Sequence, residues 1–145
     1  MNVLSVSTDE AVFDSTSAVH ARQLAYAKNF DSVSIVVPTQ RYSKAVTHEN
    51  LTVYPAWTVS IWMRTAFLKS MWARMWIPIA VAGVIRNKHI DLVTVQDPFE
   101  LGLMTLIGMW GTGVPLHAQV HTDFLSPEFA AQSFVNRVRV WIAPY

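Results

Sequence analysis

Two short strings contain the side chains best suited to chemistry: Gln96-Asp97-Pro98-Phe99-Glu100 and, about twenty residues later, Gln119-Val120-His121-Thr122-Asp123-Phe124. His121 is the leading catalytic candidate, because an imidazole titrates near neutral pH and can donate to a phosphate or a sugar hydroxyl. Asp97 and Asp123 supply carboxylates, while Gln96 and Thr122 supply neutral hydrogen-bonding groups beside them. Asp97 also has a structural use: with Pro98 next and Glu100 three positions on, it makes a capping-box-like helix start. Asp123 has a comparable alternative as an Asx turn ahead of Ser126. His117 precedes His121 by four residues. On a strand that spacing covers about 13 Å at ~3.3 Å per residue, too far for two ligands of one zinc at ~2.1 Å. No metal is expected.

Each string follows a β-branched run and precedes a helix start, the junction where open α/β sheets bind ligands. The expected strands are Val3 to Val6, Ser32 to Val37 stopped by Pro38, Leu51 to Tyr54 stopped by Pro55, Asp91 to Val95, and Pro115 to Val120. A helix is expected from about Ser17 to Asn29, capped by Ser15 or Thr16, with Ala18, Ala21, Leu24 and Ala25 as its apolar stripe. Thr39 to Asn50 is a polar connection. A helix from Asp97 to about Trp110, ending at Gly111 or Gly113, is apolar nearly all round and so is expected to be buried. The last helix starts at Ser126-Pro127-Glu128 and runs to the end of the chain.

Alternating strands and helices imply a Rossmann-like α/β fold, a parallel sheet with helices on both faces. Right-handed crossovers and one reversal of winding give the order third, second, first, fourth, fifth. The loops after the first, fourth and fifth strands then meet on one rim. They bring together Ser7, Thr8 and Asp9, then Gln96 and Asp97, then His121, Thr122 and Asp123. No Arg or Lys stands beside His121 on that rim. No glycine occurs between Met1 and Ala82, so the dinucleotide fingerprint is absent. No Gly-x-Ser-x-Gly elbow or cysteine nucleophile is present either.

At 145 residues the chain is sized for a single domain, 1–145. Charged residues are 14% of it, against about 25% in ordinary globular domains. Some of its apolar surface is therefore expected to be covered by a partner or second domain. A net charge of +1 without a basic block excludes a nucleic-acid binder. The absence of cysteine excludes a disulfide framework and fits a reducing compartment, so a cytoplasmic location is expected. The N-terminus has no secretory-signal pattern. The uncharged run from Met75 to Ile85, which contains Pro78, is far short of the ~20 residues that cross a bilayer. Between Trp57 and Lys88, Trp57, Trp62, Trp72 and Trp76 alternate with Arg64, Lys69 and Arg74. Pro78 divides this stretch into two helices of a core or domain interface, the alternative being a peripheral membrane-surface helix. Val138, Val140, Trp141 and Ile142 leave no polar tail, as expected of a chain cut inside a larger architecture.

Gln96-Asp97-Pro98-Phe99, spaced as it is from Gln119-Val120-His121-Thr122-Asp123-Phe124-Leu125-Ser126-Pro127, resembles the N-terminal domain of bacterial family 4 glycosyltransferases, two-domain enzymes of the GT-B fold. The opening resembles them too, with Ser7-Thr8-Asp9 after a strand and Ser17-Ala18-Val19 leading into a helix that holds Tyr26. The resemblance implies retaining transfer of a sugar from a nucleotide-sugar donor, used as co-substrate without a further cofactor, to an acceptor hydroxyl. It implies that His121 contacts the donor sugar or its leaving phosphate and that this domain holds the acceptor. The nucleotide would be held chiefly by a C-terminal domain, with a Glu-x7-Glu segment and cationic groups that these 145 residues lack. The glycine usual in the loop matching Ser7 to Asp14 has no counterpart here. The chain alone is therefore expected to transfer no sugar, because fixed positive donors must face the developing charge. The alternative is a stand-alone, non-catalytic ligand-binding or regulatory module. A receiver of that kind would use Asp9 and Glu10 but would need a lysine where His121-Thr122-Asp123 stands.

Overall fold

The computed structural model describes residues 1–57, 75–120 and 126–142. Among these residues six strands form one sheet: β1 (Asn2–Val6), β2 (Ser32–Thr39), β3 (Val46–His48), β4 (Leu51–Trp57), β5 (Leu92–Val95) and β6 (Leu116–Ala118), in the order β3-β4-β2-β1-β5-β6. All pairings are parallel except β3 with β4. The fold is the Rossmann-like α/β architecture expected, and the order of its parallel strands is the one that right-handed winding dictates. The winding reverses between β1 and β5, which pair directly in the register Val6 to Val95.

Helices pack on both faces. On one face Val33, Ile35 and Val37 of β2 and Leu51 and Val53 of β4 meet Val12 and Phe13 of a 3-10 turn (Glu10–Phe13) and Ala27 of α1 (Ala18–Ala27). On the other, Leu4, Val6, Val36, Val93 and Val95 meet α2 (Ile77–Asn87) and α3 (Glu100–Gly108) through Ile77, Val81, Val84 and Leu101. Strict alternation along β2 and β4 divides these side chains between the two layers.

Several details differ from the sequence expectation. The strand β3 falls in what reads as a polar connection. Its pairing with β4 turns on Glu49, which adopts a left-handed φ of 52°. Asn50 locks that turn by donating to the carbonyls of Ala27 and Phe30. The strands β2 and β4 also run through Pro38 and Pro55. Each proline lies past the end of a neighbouring strand, since β1 pairs β2 only to Val36 and β3 pairs β4 only from Val53 back. A missing N–H is tolerated at such edge-like positions.

The helix α1 is capped by Ser17, whose Oγ accepts from the His20 N–H. Thr16 instead closes an Asx turn with Asp14. Its alanine stripe faces solvent: Ala18, Ala21 and Ala25 are exposed, and the inner face is Val19, His20, Leu24 and Ala27. The imidazole of His20 is tolerated there because both its nitrogens are bonded, Nδ1 donating to the Val12 carbonyl at 2.7 Å and Nε2 meeting His48 at 3.2 Å.

Pro78 opens α2 from its first turn, as the proline rule predicts. Residues 58–74, which carry Trp62, Arg64, Lys69, Trp72 and Arg74, lie outside the described residues. After Ser126, whose Oγ accepts from the Phe129 N–H, the chain forms two helices instead of one, α4 (Pro127–Gln132) and α5 (Phe134–Ile142). An extended Ser133 breaks them apart and accepts from the Asn136 N–H.

Candidate functional site

The C-terminal ends of β1 and β5 lie side by side at the reversal of winding, so the next residues on each, Ser7 and Gln96, become neighbours. The Ser7 Oγ donates to Gln96 Oε1 at 2.9 Å and accepts from the Asp9 N–H at 3.2 Å. Ser7 is buried, its backbone N–H completing the ladder with the Val36 carbonyl. Asp9 caps the 3-10 turn, Oδ1 accepting from the Ala11 N–H at 3.0 Å. This turn takes the place that a glycine loop occupies in dinucleotide sites.

Ser7, Asp9 and Gln96 line one small recess together with Ser5, Ile35, and the α1 side chains Val19, Arg22 and Gln23. The cavity is about 20 Å³, room for about one water. A ligand would therefore dip a single polar group into it and lie across the rim. The lining is chemically mixed: a guanidinium that only donates, a carboxylate that only accepts, and two amides and two hydroxyls that do both. Such a set suits hydroxyl-bearing ligands, with Arg22 available to an anionic one.

Arg22 is the residue that sequence reasoning missed. No cation adjoins the rim strings, but α1 starts directly after the β1 loop and packs beside it. Its Val19, Arg22 and Gln23 thus look onto the same recess. The signal available in the sequence was their spacing of three and four on the helix that follows β1.

The other expected site residues divide into two groups. Thr8 is exposed on the same loop. Asp97 does not line the recess; its Oδ1 accepts from the Phe99 N–H at 2.7 Å and shapes the turn into α3. Glu100, expected to reach back toward Asp97, is instead held by Arg139 of α5, whose Nη2 donates to both its carboxylate oxygens at 2.6 and 2.5 Å. The same guanidinium lies over the Phe99 ring, and Phe99 stacks on Phe129 of α4, so the α4–α5 pair is tied to the start of α3.

On the β6 side Gln119 is level with Gln96: its N–H donates to the Val95 carbonyl and its side chain to Thr94 Oγ1. His121, Thr122 and Asp123 lie outside the described residues. Among the described residues no three His, Cys, Asp or Glu side chains group closely enough to hold a metal ion. No described helix is long and apolar enough to cross a membrane.

No protein-family model and no curated protein matches the chain. Solved structures do. Two structures of the C-terminal domain of a hydrogenase from Pyrococcus furiosus superpose on it, each with a TM-score of 0.54. One is 16% identical and covers 82% of this chain and 90% of its own; the other is 14% identical and covers 81% and 90%. At such identity the likeness is one of fold.

Proposed function

We propose that this chain is the acceptor-side domain of a retaining glycosyltransferase that moves a sugar from a nucleotide-sugar donor to an acceptor hydroxyl. The observation that carries this reading is the seam between β1 and β5, where Ser7, Asp9, Gln96 and Arg22 line one recess at the winding reversal. The resemblance of the Gln96 and His121 strings to family 4 enzymes supplies the chemistry. On this reading the recess takes a single hydroxyl or phosphate oxygen, and the body of the ligand lies over the rim toward Gln119. His121 contacts the donor sugar or its leaving phosphate, with Thr122 and Asp123 beside it. A second domain carries the nucleotide, because one rim with, among the described residues, one nearby guanidinium can neither neutralise a departing diphosphate nor exclude water.

The test is amide chemical-shift mapping of the 145-residue chain with UDP-glucose, GDP-mannose and simple alkyl glycosides, alongside a turnover assay. Perturbations confined to residues 7–9, 22–23, 96–97 and 119–123, without turnover, support the reading. Robust sugar transfer by this chain alone would refute the division of labour. Ligand shifts clustered elsewhere, or none with any of these compounds, would refute the site and leave the regulatory module as the better account.

A further inference from the structure

The side chains of β1, β5 and β6 alternate between the two faces of the sheet. Toward α2 and α3 they are apolar, with Leu4 and Val6, Val93 and Val95, and Leu116 in or against the core. The opposite face starts in the same way, with the paired Val3 and Leu92, and changes character toward the C-terminal ends of the strands. Ser5 pairs with Thr94 and Thr94 with His117, making one lateral row of hydrogen-bonding side chains. Two residues further along, Ser7, Gln96 and Gln119 make a second.

A parallel sheet ordinarily carries apolar side chains on both faces, because helices cover both. The half under α1 obeys, since Val33, Ile35 and Val37 of β2 and Leu51 and Val53 of β4 are buried there. The two polar rows depart from this, and they are accessible: Gln96 and His117 are exposed, and Ser5, Thr94 and Gln119 are half-buried. Internal bonds use only part of their capacity. Ser7 donates to Gln96 and Gln119 donates to Thr94, whereas among the described residues the Ser5 hydroxyl and the His117 ring have no hydrogen-bond partner. The recess lies on this same face, with Ser5, Ser7 and Gln96 in its wall. It therefore continues into a polar floor.

The chemistry of the floor selects its ligand. Apart from His117, none of the six side chains can carry a charge, so the floor offers an ion little. Hydroxyls and carboxamides both donate and accept, as the adjacent hydroxyls of a sugar do. Three strands ~4.8 Å apart and a step of two residues at ~3.3 Å each give a floor about 10 Å by about 7 Å, enough for a sugar ring. Arg22 stands at the recess end. A charged group is thus directed to the recess and a neutral polyhydroxyl to the floor.

We infer that this floor binds a neutral saccharide, with Ser5, Thr94, His117 and Gln119 bonding its hydroxyls across β1, β5 and β6. Its role rests on the sugar-transfer reading, under which the acceptor is a neutral glycoside and Thr94 and His117 determine its specificity.

NMR titration of the full 145-residue chain with the methyl glycosides of glucose, galactose, mannose and maltose tests it. At least one of them should give saturable shifts at residues 5, 94 and 117, beyond those at rim residues 96 and 119, with an affinity that does not change as salt is raised. Thr94→Val and His117→Ala should each weaken that binding about fivefold, the loss of one neutral hydrogen bond. Thr94→Ser keeps the hydroxyl and should bind as the parent does. Inorganic phosphate, which has no sugar to lay on the floor and is held at Arg22, should bind His117→Ala as it binds the parent. His117 is exposed, so its variant decides the matter if far-UV circular dichroism shows Thr94→Val to be unfolded. Shifts confined to the rim, or none with any of these glycosides, overturn the floor and leave the transfer reading to its own test with nucleotide-sugars. Folded variants that bind like the parent overturn it too. Shifts at 5, 94 and 117 without any response of residues 7, 22 and 96 to UDP-glucose or GDP-mannose establish the saccharide site and remove its role as an acceptor site.

Discussion

His20 Nε2 lies 3.2 Å from His48 Nδ1, so a buried imidazole of α1 is joined to the edge strand β3. The Val12 carbonyl can only accept, so His20 Nδ1 carries a proton and, in the neutral ring, Nε2 offers a lone pair. The His48 Nδ1–H must then be the donor. The two rings hold together elements that are otherwise joined mainly through β4.

Replacing either ring should therefore destabilise the fold unequally. His20→Ala leaves a cavity and an unpaired Val12 carbonyl, at a cost of about 3 kcal/mol. His48→Ala removes one bond at an exposed strand and should cost about 1 kcal/mol. Urea unfolding of both variants and the double variant measures this. Additive losses would show that the two rings do not interact.

Acid should weaken the link between β1 and β5. Asp91 accepts the Asn2 N–H at 2.6 Å, which holds its carboxyl below the ordinary range; burial opposes this and nearby His89 assists it. A carboxyl lowered in the folded state stabilises above its unfolded pKa, about 3.9. That contribution is lost as pH falls through the lower folded value. The urea midpoint should thus drop between pH 6 and pH 3. Asp91→Asn, which retains an acceptor and cannot titrate, should show a smaller drop. Asp14, lowered by the Thr16 hydroxyl and N–H, acts in the same direction and should persist in that variant.

Gly108 allows α3 to approach α2. A Cβ there would stand 2.7 Å from the Pro78 carbonyl oxygen and 2.9 Å from Val81 Cβ. Backbone atoms cannot rotate away, so Gly108→Ala forces the helices apart and should cost about 2 kcal/mol or more, despite the better helix propensity of alanine. Gly83→Ala, with nothing near its Cβ, should instead stabilise α2 by up to about 1 kcal/mol. Thermal unfolding of the pair checks this, and destabilisation by both would contradict the packing.

The parallel strands and their order were legible because buried β-branched runs, short connections and one handedness leave few alternatives. The strand β3 was not, because Val46-Thr47-His48 lacks an apolar run and owes its pairing to Glu49 and to Asn50 bonding at a distance of 20 or more residues. The inner face of α1 was misassigned because alanine fits exposed helix positions as readily as buried ones, while His20 becomes a core residue only once Val12 and His48 are in place. Uniform apolarity hid the outer face of α3, where Leu103, Leu106 and Ile107 are exposed, since composition alone cannot separate a helix buried all round from one open along a side. In the candidate site, Ser7, Asp9 and Gln96 were readable from topology. Arg22 was not, because it belongs to a neighbouring helix and reaches the recess only through packing.

Arg22 offers the sharpest test of that site. It is the recess residue that can hold an anionic oxygen by a charge-assisted bond, and it is exposed, so its removal should leave the fold intact. Arg22→Ala should weaken binding of a sugar phosphate or nucleotide-sugar about tenfold, equivalent to ~1.4 kcal/mol. Its urea midpoint should match that of the parent. Gln96→Ala should weaken binding mildly and also lower the urea midpoint, because it strands the Ser7 hydroxyl, costing about 1 kcal/mol of stability. Lys28→Ala, on the exposed residue just past α1 and outside the recess, controls for general charge. NMR titrations of the three variants decide the matter. Equal weakening by Lys28→Ala and Arg22→Ala would mean that the ligand senses net charge, and the recess would lose its claim to be a site.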